Sequence, residues 1–251
     1  MITLKQRKPS MDLTQHHLNL FYSYNLNIEN AYIITIKGHS KSERLSGRCQ
    51  ESCKKVGMPY KVWDAFDGTS EKIKVPEHSV GDSLTRIIKV TDHYLTRGEV
   101  ACALSHISLW RHCAYIDRPI IILEHDAIMV EKMLTFEAFN SIIYLGGSEW
   151  VKDKWPMCSI PPHASEGPNY HFICRAHAYA IDPPMAKNLL SHVIKNGISA
   201  PLDIIIRADL FNVTHRGLYA YDENFDSITD TTIKARPPAG RTTARNDDLK
   251  D

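Results

Sequence analysis

Two carboxylates separated by one residue, Glu124-His125-Asp126, close the apolar run Ile120-Ile121-Ile122-Leu123. In an extended chain, residues i and i+2 point to the same side. Two acids on one side repel each other unless a metal ion or a cationic group lies between them. Oxygen ligands of this kind suit a hard divalent cation, Mg²⁺ or Mn²⁺. An ion so placed can hold a diphosphate leaving group as a Lewis acid. On the tripeptide alone, a solvated acidic turn after an ordinary strand stays an open alternative.

The elements that would carry this pair can be read from periodicity. Residues 31–36, Ala-Tyr-Ile-Ile-Thr-Ile, form a continuous apolar, β-branched run that predicts a strand buried on both faces. Ser40-Lys41-Ser42-Glu43 reads as a capping box opening a helix toward Val56, closed by Gly57. A short strand over 60–63 follows and ends in the turn Asp64-Ala65-Phe66-Asp67-Gly68. Residues 69–91 read as a long loop. Thr96-Arg97-Gly98-Glu99 is a second capping box. The helix after it carries Val100, Ala103, Leu104, Ile107 and Trp110 on one apolar face. Asp117-Arg118-Pro119 turns the chain into the strand that delivers the acidic tripeptide.

Further on, 141–145 and 172–181 read as strands, with a proline-bearing loop over 149–170 between them. Asp182 followed by Pro183 predicts an N-cap and first helical position, with the helix stopping at Gly197. A short segment over 201–211 and a last strand over 218–221 complete the pattern. Residues 1–30 form an N-terminal arm, 31–234 one catalytic domain and 235–251 a flexible tail. Alternating strands and helices predict an α/β fold with a mostly parallel central sheet flanked by helices. Ligands of such sheets bind beyond the carboxyl ends of the strands. Lys37, the Asp64–Asp67 turn and Glu124-His125-Asp126 all follow strands, so all can meet at that edge. Neither a dinucleotide-binding glycine fingerprint nor a P-loop is present.

Bulk properties exclude several classes. The chain has 251 residues, 43% hydrophobic and 24% charged, ample for a buried core. With 30 basic and 29 acidic residues, it lacks the surplus needed for a broad nucleic-acid footprint. No apolar run approaches a membrane span, and no signal-peptide core opens the chain. A cytoplasmic location is expected, and peripheral contact with a membrane stays open. The six cysteines are dispersed without zinc-ligand spacing and are expected to be reduced thiols.

Several blocks, taken in order, resemble glycosyltransferase family 25, the lipooligosaccharide and collagen galactosyltransferase group. They are Tyr32 to Lys37 with Ser42-Glu43-Arg44, Phe66-Asp67-Gly68 after Asp64-Ala65, Leu95 to His106 ending at Trp110, and Ile122 to Ala127. A weaker fifth runs from His177-Ala178-Tyr179 through Leu189-Leu190 to Pro201-Leu202-Asp203. The resemblance spans roughly residues 31–230, and its specific signal is the third block standing just before the fourth. The chain departs from the family where Glu-Asp-Asp becomes Glu124-His125-Asp126, and where Pro-Val-Asp becomes Pro201-Leu202-Asp203.

The resemblance implies a GT-A type fold, a divalent metal, a UDP-sugar donor and inversion at the sugar carbon. The expected reaction moves a hexose, galactose or glucose, to a glycan or glycosylated acceptor, as in lipopolysaccharide biosynthesis. Glu124 and Asp126 are assigned to the metal and diphosphate. The acceptor hydroxyl needs a general base, for which Asp203 is the first candidate and His177 the second. Asp203 reads equally as an N-cap for the residues after it. Lys37, Arg44, Asp64, Asp67, Ser105 and His106 are candidate donor-binding residues, and Trp110 is core. Two other functions compete: a metal-assisted hydrolase, and a non-catalytic nucleotide- or glycan-binding protein on a degenerate transferase scaffold.

Overall fold

The computed structural model describes residues 28, 30–80, 87–92, 94–133, 142–147, 176–207 and 210–222. Apart from residues 28 and 30 of the expected arm, the arm, the tail and the loop over 149–170 lie outside these residues. The elements are β1 (Ala31–Thr35), α1 (Ser40–Val56), β2 (Tyr60–Asp64), α2 (Arg97–Ile116), β3 (Ile120–Glu124), β4 (Ala127–Met129), β5 (Ile142–Gly147), β6 (Ala178–Ile181), α3 (Pro183–Asn196), α4 (Leu202–Ile205) and β7 (Val213–Asp222). One seven-stranded sheet has the order β2-β1-β3-β6-β5-β7-β4. Strands β2, β1 and β3 run parallel, as do β5 and β7, while β6 and β4 are antiparallel to their neighbours. The α/β class read from the sequence holds.

The continuous apolar runs become strands covered on both faces. Ala31, Ile33, Ile121 and Leu123 pack with Cys49 and Cys53 of α1. Tyr32, Ile34, Ile120 and Ile122 pack on the opposite face with Leu104, Ile107 and Trp110 of α2 and Leu189 of α3. This alternation is the two-residue period of a strand. It also assigns Glu124, in step with Ile120 and Ile122, to the α2 side. Each fully buried aliphatic side chain contributes about 1.5–3 kcal/mol, which fixes the register from which Glu124 emerges. Helix α2 lies between the sheet and α3, so it is buried almost all round rather than along one stripe.

The helix ends follow the sequence signals with two corrections. Helix α1 is capped by His39, whose Nδ1 accepts from Ser42 N–H at 3.3 Å, and not by a Ser40 capping box. Glu43 instead accepts from Gly38 N–H at 2.8 Å, two residues before the Ser40 N–H that the box requires. Helix α4 is capped by Pro201 and covers only Leu202–Ile205, so Asp203 is not an N-cap. The Thr96–Glu99 capping box and the Asp182 cap form as read. Strand β3 runs one residue further than expected, making Glu124 its last residue. The last strand is longer than expected, beginning at Val213.

Gly68 shows why the loop after β2 must contain glycine. A Cβ there would lie 2.4 Å from the Arg97 carbonyl oxygen and 2.9 Å from Gly98 N, at the start of α2. The Asp67-Gly68 turn therefore rests directly on helix backbone, which cannot swing aside. Gly68→Ala is expected to cost about 1–3 kcal/mol through overpacking. Urea unfolding would read this as a lower midpoint at unchanged slope.

Candidate active site at the carboxyl edge of β1, β2 and β3

Parallel pairing places the carboxyl ends of β1, β2 and β3 on one edge. Lys37 follows β1 and reaches Asp64, the last residue of β2, with Nζ 4.0 Å from Oδ2. Both side chains are solvent-exposed, so this ion pair contributes little stability and leaves both groups open to a ligand.

Glu124 and Asp126 flank the turn between β3 and β4. The charge of Asp203, far away in sequence, is felt from the same region. The carboxylates of Glu124, Asp203 and Asp126 all act on the buried thiol of Cys102 in α2. Burial first, and then these negative charges, push the Cys102 thiol far up, so it stays protonated. Its Sγ–H donates to Glu124 Oε1 at 3.6 Å. His106, one helical turn further along α2, places Nε2 3.2 Å from the same oxygen.

Burial alone would raise the Glu124 carboxyl. The His106 hydrogen bond and the fields of His106, His125 and His177 outweigh it and hold the group down at about 2. Glu124 is thus a carboxylate at any physiological pH. His177 is itself buried, and its carbonyl accepts from Glu124 N–H at 2.8 Å. Its ring stands edge-on to Tyr144 and occupies the space above Gly146, where a Cβ would come within 2.2 Å of Nε2.

His125, which stands between the two acids, has its pKa lowered by burial, a shift that the Glu124 charge opposes and those of His39 and Lys41 reinforce. The middle residue therefore carries no negative charge, and the outer acids are left as the hard oxygen donors.

The remaining candidates are placed differently. Arg44 is exposed on α1. Asp67 is closed into its own turn: Oδ1 accepts from Thr69 N–H at 2.9 Å and Oδ2 lies 3.3 Å from Lys74 Nζ. Burial would raise its pKa, but the Thr69 bonds and Lys74 hold it below the ordinary value. Ser105 is buried, accepting from Phe66 N–H at 2.9 Å and donating to the Ala101 carbonyl at 2.8 Å. His106 is fully enclosed. Ser105 and His106 are therefore support beneath the edge, correcting their reading as direct donor contacts: no ring or hydroxyl surface remains for a nucleotide.

Cys102, His106 and Glu124 bring potential ligand atoms within 4.8 Å of one another. A thiol and an imidazole suit softer ions than the Mg²⁺ or Mn²⁺ expected from the sequence. The thiol keeps its proton, and His106 Nε2 must carry one to bond the carboxylate. The hard oxygen donors at the end of β3 are the carboxylates of Glu124 and Asp126. Glu124 Oε1 takes both hydrogen bonds, so Oε2 is the oxygen left for a cation.

Sequence reading missed Cys102 and the role of Tyr179. The i, i+4 spacing of Cys102 and His106 was available as a signal, since it places both on one face of α2.

The family model for glycosyltransferase family 25, described as an LPS biosynthesis protein, matches residues 28–159, just over half of the sequence. The chain belongs to glycosyltransferase family 25. The matched stretch holds β1 through the acidic turn after β3, including every residue of the Cys102–His106–Glu124 cluster. No curated protein matches the chain. Among solved structures, galactosyltransferase LgtC in complex with donor and acceptor sugar analogues is similar at 12% identity, covering 73% of this chain and 72% of that one, with a TM-score of 0.37. A likeness at that level adds nothing to the assignment. The family makes the protein a glycosyltransferase. Among the described residues, no helix is long and apolar enough to cross a membrane. The four described cysteines, Cys49, Cys53, Cys102 and Cys113, are free thiols.

Proposed function

We propose that this glycosyltransferase moves a hexose, galactose or glucose, from a UDP-sugar to a glycan acceptor with inversion, in a divalent-metal-dependent reaction. The observation that supports this most is the placement of Glu124 and Asp126 at the end of β3, with Glu124 Oε1 held from inside by His106 and Cys102. A bound Mg²⁺ or Mn²⁺ at such a site supplies Lewis-acid stabilisation to the departing diphosphate.

Glu124 and Asp126 would hold the ion. Asp203 would accept the proton of the acceptor hydroxyl while that oxygen bonds the anomeric carbon and the sugar–diphosphate bond breaks. Lys37 and Asp64, at the ends of β1 and β2, would contact the nucleotide, with Arg44 at the rim. The His177 carbonyl holds the Glu124 backbone, and the His177 imidazole is the second candidate for the base. A glycan of the lipopolysaccharide type is the acceptor class that the family description favours, and the cytoplasmic face is where such a donor is available.

A UDP-release screen over UDP-hexoses, with Mn²⁺ and with chelator, tests the reading. Turnover of one UDP-hexose that chelator abolishes and glycan acceptor stimulates is the expected result. Turnover indifferent to chelator would reject the metal. UDP binding without turnover of any UDP-sugar would make the chain a degenerate binding scaffold.

A further inference from the structure

Beneath the acidic edge lies a chain of hydrogen bonds made by residues that touch no solvent. Trp110 Nε1–H donates to Tyr179 Oη at 2.8 Å. Tyr179 Oη lies 2.8 Å from His106 Nδ1, and His106 Nε2 lies 3.2 Å from Glu124 Oε1. The rings of His106 and Tyr179 are stacked, 12° from parallel. Trp110, Tyr179 and His106 are each essentially fully buried. They come from α2 and β6, so the chain ties the helix to the strand beside β3.

The direction of this chain follows from donor chemistry. A carboxylate can only accept, so His106 Nε2–H donates to Glu124. In the neutral ring Nδ1 then accepts the Tyr179 hydroxyl proton, and Tyr179 Oη accepts from Trp110. No other bond to Tyr179 Oη exists among the described residues to reverse this order. Glu124 Oε1 is thereby occupied from inside the protein, together with the Cys102 thiol. Oε2 accepts no hydrogen bond from any described residue.

We propose that Trp110, Tyr179 and His106 form a positioning relay that fixes the His106 tautomer and so turns one defined oxygen of Glu124 toward the metal–diphosphate site. None of the three touches the ion or the donor. Their part is to keep the carboxylate from rotating or being drawn inward, as outer partners do for metal ligands generally. The inference rests on the proposed metal-holding role of Glu124.

The test is Tyr179→Phe, which keeps the stacked ring and removes only the hydroxyl. Two readouts are taken on the full chain: ¹⁵N-histidine NMR, which reports the tautomer of His106, and Mn²⁺ affinity in the presence of UDP, measured by electron paramagnetic resonance. Expected are a single Nε2–H tautomer in the wild type, its loss in Tyr179→Phe, and a fall in Mn²⁺ affinity of roughly 10- to 100-fold. His106→Gln supplies an amide donor that needs no tautomer, so adding Tyr179→Phe to it should weaken Mn²⁺ binding by less than twofold. An unchanged His106 tautomer in Tyr179→Phe overturns the relay. A changed tautomer with unchanged Mn²⁺ affinity overturns its positioning role. Absence of Mn²⁺ binding by the wild type overturns the metal reading itself and the relay's purpose with it, and is recognised because it precedes any substitution. Should Tyr179→Phe fail to fold, Trp110→Phe removes the donor that orients Tyr179 and must produce the same two changes; if neither changes, the relay is overturned.

Discussion

Replacing Asp126 with alanine is expected to remove sugar transfer while leaving the fold in place. Asp126 lies in the turn between β3 and β4, outside both strands, so its loss breaks no ladder hydrogen bond. Its charge acts on Cys102 of α2 and on Cys49 of α1. Removing one preorganised charge from a site that stabilises a departing anion lowers kcat by roughly 10²- to 10³-fold. Thermal unfolding of the variant should stay near that of the wild type. Wild-type turnover by Asp126→Ala with Mn²⁺ present would take Asp126 out of the site.

Asp203→Asn should be nearly as damaging, by a different route. The amide keeps the shape of the side chain but cannot take a proton at neutral pH. A positioned general base contributes roughly 10²- to 10⁴-fold, and a loss in that range should fall on kcat. Mn²⁺ and UDP binding should persist, because Glu124 and Asp126 remain. The structure removes the competing explanation that Asp203 merely caps a helix, since Pro201 holds that position and α4 ends at Ile205. A near-normal rate for Asp203→Asn would exclude Asp203 as the base and turn the choice to His177.

The layer structure was legible in the sequence because it depends on local signals. The β-branched runs of β1 and β3, the Thr96–Glu99 capping box, the Asp182-Pro183 start of α3 and Gly57 at the end of α1 each act within a few residues. The pair Glu124 and Asp126 was legible for the same reason, as a spacing at the end of a strand. What the sequence could not show is contact between distant elements. Cys102, His106 and Tyr179 meet Glu124 only because α2 crosses the face of β3 and β6 lies antiparallel beside it. His106 was read toward the donor because its block resembles the family, yet its ring faces inward between Tyr179 and Glu124. Ser105 was misplaced in the same way: its hydroxyl is held by the Phe66 amide, a partner 39 residues away. The His39 cap was missed because histidine is not among the side chains that usually cap helices.

The resemblance and the geometry bear on different questions. The family establishes glycosyl transfer as the reaction class, and Glu124 and Asp126 at the end of β3 are where a hard cation is proposed to act. With His125 in place of the usual middle acid, Glu124 and Asp126 remain the two acids of the turn.

Mn²⁺ titration of the full chain, with and without UDP, in the wild type and in a Glu124→Gln/Asp126→Asn double variant tests the carboxylate site most directly. One ion bound by the wild type, more tightly when UDP is present, and lost in the folded double variant is the predicted result. Equal Mn²⁺ affinity in the two proteins would contradict a divalent-ion site at the end of β3.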